Sequence, residues 1–359
     1  MPGQRSRNGR RITRKFRNFA LAVGVVLTTL VVVEFPLRWR YAEPVRGPLP
    51  EVAAIQKWLV LDEEVGFKWR PNVTAAEGIV LGYEDSVHVP LTTDAWGFIE
   101  AEGSIADREA GNAVDVVGIG DSFIEHAADT FHDFFAAQGL TYYNLAIHRQ
   151  APPQYTIALE KYALPLTPKW IVYGIFENDF AETEDFHTWR ESGLDWFTFH
   201  SGTWCGPSLP ASAMERWFET HAQGYAGLFG VLERRARGER MSVAGPREKQ
   251  IEEVIESCEK AVEVVEGVDE KVRTDRTDGK LILVLVPSRA AVVSGATLES
   301  KAYDRIVAWA ESVEGVRVVD LRAVFGSQEN PGSLYYERDG HWNAKGMGLA
   351  AETIYGAMK

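Results

Sequence analysis

The apolar positions of this chain change their pattern three times from the amino end. Residues 19–33, FALAVGVVLTTLVVV, run fifteen positions without a charge. A bilayer-spanning helix needs about 20 mostly apolar residues, so 19–37 suffices once Glu34 reaches toward the outer headgroups. No amphipathic face can be drawn on this segment, which argues against a buried core helix. Residues 55–100 then alternate short apolar pieces with turn residues (EVGFKWRPN, GIVLGYED, TTDAWGFI), the pattern of a few strands. From residue 113, β-rich apolar runs recur at 113–120, 141–147, 169–176, 280–287 and 316–321, with helical stretches between them. Near-continuous apolar strands alternating with helices predict a parallel sheet covered on both faces. The expected fold is α/β: a flavodoxin-like, three-layer α/β/α sandwich with a five-stranded parallel sheet and its site at the carboxyl ends of the strands.

This pattern divides the chain into a basic head (1–18), a transmembrane segment (19–37), a linker with a small β-containing preface (41–112), and a main domain (113–359). Within the main domain, residues 180–278 exceed what one crossover helix needs and read as an insertion. It contains an aromatic segment, FHTWRESGLDWFTFHSGTWCG, and a helical one, EKQIEEVIESCEKAVEVVEGV. Such an insertion either stands over the carboxyl end of the sheet as a cap or packs beside it as a helical decoration.

Charge sharpens the reading. Residues 1–40 carry nine Lys/Arg against Glu34 alone, leaving 29 Lys/Arg against 50 Asp/Glu in residues 41–359. So acidic a body repels nucleic acid and disfavours anionic polymers as substrates. Seven of the cations precede the apolar segment, and no small-residue cleavage pattern follows it closely. The positive-inside rule then keeps the head in the cytoplasm and makes the segment an uncleaved signal anchor, with residues 41–359 outside the cytoplasm, periplasmic or extracellular. Cys205 and Cys258 are the only cysteines. They make no disulfide framework and no zinc spacing, and whether they pair stays open. Asn72 heads a glycosylation sequon, PNVT, that matters only in a eukaryotic secretory route.

The first run of the main domain ends in VVGIGDSFIEH, residues 116–126. Ser122 there stands where a strand hands over to a helix, a place for a helix cap and equally for an exposed nucleophile among unpaired backbone donors. A serine needs a base. His341, in ERDGHWNAKG, sits in a polar loop after the fifth run and before a final amphipathic helix, with Asp339 two residues earlier to orient the imidazole. Asn178, in FENDF at the end of the third run, carries an amide donor for an oxyanion hole, worth on the order of 3 kcal/mol, or forms a simple turn. The G-x-S-x-G elbow of ordinary α/β-hydrolases is absent around Ser122.

In GDSF, YNLAIHRQAPPQY, FENDF and RDGHWNAKG, in this order and spacing over residues 113–358, the chain resembles the SGNH, or GDSL, hydrolase superfamily. The resemblance implies Ser122 as nucleophile, His341 as base and Asp339 as its orienting acid. It also implies oxyanion donors from the Ser122 backbone N–H, the Arg149 backbone N–H and the Asn178 side chain. The pieces EEVGFKWRPN and TTDAWGF are similar to membrane-anchored, extracytoplasmic members. Two departures stand out: Arg149 occupies the position where the family expects glycine, and the acid precedes the histidine as D-x-H instead of D-x-x-H. The Arg149 cation either occludes the site or binds a substrate anion.

The expected function is a serine esterase acting through a Ser/His/Asp triad and an acyl-enzyme on a short-chain ester, such as an O-acetyl ester, of a carbohydrate or lipid. No metal or organic cofactor is implied. Two alternatives remain: an O-acetyltransferase of an extracytoplasmic glycan, and a non-catalytic binding or assembly protein. Trp189, Trp196 and Trp204 are candidates to stack on sugar rings, or are packing residues.

Overall fold

The turn-rich residues before 100 fold as two antiparallel hairpins, β1 (Leu59–Asp62) with β2 (Gly66–Trp69) and β3 (Thr74–Val80) with β4 (His88–Thr92). Helix α1 (Glu102–Glu109) leads into the main sheet. The five apolar runs become its strands: β5 (Val116–Ile119), β6 (Tyr142–Asn144), β7 (Trp170–Ile175), β8 (Lys280–Leu285) and β9 (Val316–Asp320). Their order across the sheet is β6-β5-β7-β8-β9, and every pairing is parallel. This computed structural model describes residues 58–80, 88–199, 246–266, 280–294, 300–336 and 340–359. All belong to one of the two units into which the chain divides, residues 51–208 with 242–359; the other unit lies outside the described residues. The segment 19–37, Trp204, Cys205 and Asp339 also lie outside them. Among the described residues, no helix is long and apolar enough to cross a membrane.

Both faces of the sheet are apolar because alternate strand residues point to opposite sides. On one face Val117, Ile119, Ile171, Tyr173, Ile175, Leu281, Leu283 and Leu285 are buried. Helix α4 (Pro152–Ala158), α7 (Glu248–Glu266) and α9 (Ser300–Ala310) cover them, together with Phe67, Trp69, Leu91 and Phe98 from the N-terminal segment. On the other, Val116, Val172, Ile282, Val284 and Val319 pack beneath Phe131 and Phe135 of α3 (Ala128–Ala137), Phe325 of α10 (Leu321–Gly326) and Ile354 of α11 (Ala344–Met358). Helix α7 therefore lies on a face of the sheet as a covering layer.

The N-terminal segment is tied to the β6 edge by buried polar contacts. Asn144 donates its backbone N–H to Glu100 Oε1 and its Nδ2 to the Ile99 carbonyl, both at 2.8 Å. The Tyr143 hydroxyl donates to Asp94 Oδ2 (2.5 Å), while Asp94 Oδ1 collects the backbone N–H groups of Trp96, Gly97 and Phe98. An edge strand otherwise presents unpaired backbone groups.

The structure corrects the reading of two tryptophans as sugar-stacking residues and agrees with the reading of Cys258 as a small apolar residue. Trp189, in α5 (Asp179–Ser192), and Trp196, in α6 (Trp196–Phe199), are 6% and 3% exposed and pack in a T at 5.1 Å between ring centroids. Trp196 also lies against Phe67, at 5.6 Å. Burying indole rings in the core removes the open faces a sugar would stack on. Cys258 is a free thiol, fully buried on α7; desolvation pushes its pKa up, so it behaves as a small apolar residue.

Candidate active site

The turn after β5 is shaped by close approach. Helix α2 (Ser122–Glu125) follows Gly120 and Asp121 directly. A Cβ on Gly120 would lie 2.7 Å from Ile124 Cγ1, and one on Gly174, in neighbouring β7, 2.8 Å from the same atom. The two glycines form a slot that Ile124 fills, and this holds the short helix against the carboxyl end of the sheet. Asp121, 2% exposed, caps the helix by accepting the Phe123 N–H at 3.1 Å. The cap is thus Asp121 and not Ser122, because a carboxylate one residue earlier reaches the amide two positions on. The Ser122 hydroxyl is left for other work.

That hydroxyl meets His341: Nε2 lies 2.8 Å from Ser122 Oγ. For Nε2 to accept the serine proton, the ring must carry its own proton on Nδ1. His341 is held by its neighbours. Trp342 is fully buried, the His341 carbonyl accepts the Tyr336 N–H (2.9 Å), and Asn343 caps α11. Asn343 also donates Nδ2 to the carbonyls of Ser333 (2.9 Å) and Tyr335 (3.0 Å). Phe123 packs on one side of the imidazole, at 4.8 Å between centroids, and Phe176 packs on Phe123 at 4.4 Å.

Arg149 adopts φ 57°, the left-handed region. It is the third residue of a turn closed by Gln150 N–H to the Ile147 carbonyl (3.2 Å), a place where positive φ ordinarily selects glycine. The backbone therefore takes a shape that ordinarily selects glycine, and the arginine here bears about 1–2 kcal/mol of strain. Asn178 stands at the entry to α5 and donates Nδ2 to Glu182 Oε2 at 3.0 Å.

Carboxyl groups crowd this flank. Burial is the main cause that raises the pKa of Asp121, to about 6, and of Glu182, to about 8; Arg149 opposes the second shift. Asp179, fully buried, is raised well above the carboxylate range by desolvation and by its neighbours Asp121 and Glu182. Proton counting agrees. The Tyr155 hydroxyl has one hydrogen but lies 2.7 Å from the Gln150 carbonyl and 2.8 Å from Asp179 Oδ1. Both contacts are hydrogen bonds when Asp179 is neutral and donates to the phenol oxygen, which donates onward to Gln150.

Sequence reasoning missed a second cluster. His126 packs against His341 at 4.7 Å between centroids, and burial, then His341 and His148, depress its pKa well below the ordinary imidazole value. Glu125 accepts Trp69 Nε1–H at 2.5 Å and lies 3.1 Å from His148 Nδ1. The proximity of Glu125 and His126 to Ser122 was visible in GDSFIEH; nothing local pointed to Trp69 or His148. Among the described residues, no group of three or more His, Cys, Asp or Glu side chains forms a metal site.

Residues 260–359 match a family described as SGNH hydrolase-like domain, acetyltransferase AlgX. The matched stretch contains His341 and leaves Ser122 and Asn178 outside. No curated protein matches the chain. Similar solved structures include a putative acylhydrolase from Bacteroides fragilis, 17% identical over 72% of this chain and 98% of that one, TM-score 0.40. A GDSL-like lipase from Bacteroides thetaiotaomicron is 16% identical over 71% and 96%, TM-score 0.41. A lipase/acylhydrolase from Enterococcus faecalis is 12% identical over 67% and 93%, TM-score 0.37. At these scores the likenesses carry no argument about the site. Residues 260–359 are thus similar to an SGNH hydrolase-like family, in line with the resemblance of the four motif blocks to the SGNH hydrolase superfamily.

Proposed function

We propose that the protein is a serine acyl-transfer enzyme that cleaves a short-chain ester, such as an O-acetyl ester, of a carbohydrate or lipid. The observation that carries this reading is the 2.8 Å contact between Ser122 Oγ and His341 Nε2. His341 takes the proton as Oγ attacks the ester carbonyl, and the oxyanion forms among backbone N–H groups at Ser122 and Arg149 and the Asn178 amide. His341 then protonates the leaving alcohol, and water, activated by the same imidazole, releases the acyl group. Asp339, two residues before His341, is the candidate to hold the Nδ1 proton. The segment 19–37 anchors the enzyme so that it acts outside the cytoplasm.

A second reading is favoured by the family description over residues 260–359, which names an acetyltransferase. With a sugar hydroxyl in place of water in the last step, the same residues make an O-acetyltransferase of an extracytoplasmic glycan. Product analysis with and without a glycan acceptor separates the two.

The test of the common step is intact-mass analysis after treatment with a fluorophosphonate. A single adduct is expected on the wild-type protein and none on Ser122→Ala. A folded wild-type sample that takes no adduct removes the enzymatic reading in favour of a binding protein on this fold.

A further inference from the structure

Arg149, with its left-handed backbone, is gripped from both sides. His148, 5% exposed, precedes it and lies with Nδ1 3.1 Å from Glu125 Oε2. Glu125 ends α2, the helix that starts at Ser122, and it also accepts Trp69 Nε1–H from β2. The His148 ring packs against Phe67 and Trp69, at 5.5 and 4.9 Å between centroids. Gln150, 1% exposed, follows Arg149 and donates Nε2–H to the Phe67 carbonyl at 3.0 Å, while its own carbonyl accepts the Tyr155 hydroxyl. Ile147, where the turn begins, donates its N–H to the carbonyl of Gly120, two residues before Ser122 (3.2 Å). Each side of the turn is thus tied to β2 or to the segment that carries Ser122. A residue in an unfavourable backbone conformation stays there only when its surroundings over-determine it. Around Arg149 these contacts are what over-determines it.

We propose that His148 and Gln150 are positioning residues that hold the Arg149 backbone N–H in the oxyanion geometry, supplying from outside the left-handed shape that a glycine would adopt unaided. The inference rests on the acyl-transfer reading of Ser122. Without the grip an arginine favours negative φ, and the left-handed form falls to a minor population. A change of φ swings the His148–Arg149 peptide, which carries the N–H, against the rest of the turn. Glycine adopts either sign of φ about equally and so depends on the grip far less. Strand β2, through Phe67 and Trp69, thereby belongs to the site without contributing a reacting group.

The test measures p-nitrophenyl acetate turnover by the full-length protein, with Ser122→Ala as the blank. His148→Phe, which keeps a ring and removes Nδ1, is made in the wild type and in the Arg149→Ala and Arg149→Gly backgrounds. In the wild type it lowers kcat by about 5- to 30-fold, the factor that corresponds to the left-handed cost. KM stays nearly unchanged, because an oxyanion donor acts in the transition state. The factor persists beside Arg149→Ala, which lacks the cation but keeps a Cβ, and shrinks to about 2-fold beside Arg149→Gly. Gln150→Met, which releases the other side of the turn, gives the same pattern and serves where His148→Phe does not fold. Equal factors in all three backgrounds, or no loss in the wild type, overturn the proposal. Rescue by Arg149→Ala as complete as by Arg149→Gly assigns the effect to the cation and overturns it too. Denaturant unfolding reads the grip without turnover: Arg149→Gly raises the midpoint of the wild type, and raises it less beside His148→Phe. If the wild type shows no Ser122-dependent turnover, the acyl-transfer reading falls by itself. The midpoints then decide the grip, which an equal gain in both proteins overturns.

Discussion

On the His341 flank of Ser122, rings do the holding: Phe123 and His126 pack on the imidazole, Phe176 backs Phe123, and Trp342 is buried behind the loop. On the Asn178 flank the neighbours are Asp121, Asp179 and Glu182, with Tyr155 and Arg149 among them. The apolar contacts of Phe123, Phe176 and Trp342 are non-directional and indifferent to pH, so this part of the flank holds the imidazole by packing alone. The second has more buried acceptors than donors, and an enclosed carboxylate short of donors lowers its free energy by taking up a proton. One flank is held chiefly by ring packing; the other gathers buried carboxyl groups whose charge depends on their surroundings.

The largest effect that would break this contrast comes from the rigid flank. Gly174→Ala places a methyl 2.8 Å from Ile124 Cγ1 and must displace the helix that carries Ser122. A misplacement of about 1 Å costs on the order of 100-fold in rate, so kcat should fall by about that factor at every pH, with the fold retained by circular dichroism. A pH-dependent loss would instead mean that the two flanks are not separate.

The acid flank should show itself in stability. Glu182, Asp179 and Asp121 all have folded-state pKa values raised above the ordinary carboxylate range, chiefly by burial. Their protonation contributes stability fully present below the unfolded carboxyl pKa and lost as pH rises through the folded values, about 6 for Asp121 and about 8 for Glu182. Thermal unfolding of the wild type should weaken between about pH 7 and about pH 9 by several degrees more than Glu182→Gln does. Parallel curves for the two proteins would remove Glu182 from this account.

Arg149→Gly gives the smallest effect and sharpens the comparison most finely. Relief of the left-handed strain, about 1–2 kcal/mol, is partly offset by the backbone entropy of glycine, about 0.5–1 kcal/mol. Denaturant unfolding should move by about 1 kcal/mol or less toward greater stability. Loss of the cation that favours the Glu182 carboxylate should also shift the Glu182 titration to higher pH.

Much of this architecture is legible locally. Each of the five apolar runs becomes a strand of one parallel sheet, and the turn residues before 100 delimit two hairpins, because periodicity and glycine placement act over a few residues. Ser122, His341 and Asn178 stand out at strand ends for the same reason. Other features needed the folded molecule. Whether Ser122 or Asp121 caps the helix depends on which side chain reaches the Phe123 amide. Trp189 and Trp196 carry the same aromatic signal whether they face a ligand or, as here, the core. His126 and His148 meet His341 and Glu125 only after segments distant in sequence come together. The acid cluster is the extreme case, since its protonation follows from desolvation and mutual repulsion, properties that no carboxyl has in an extended chain. A residue's type and local spacing thus say what chemistry it can do, while burial and long-range neighbours decide its orientation and its charge.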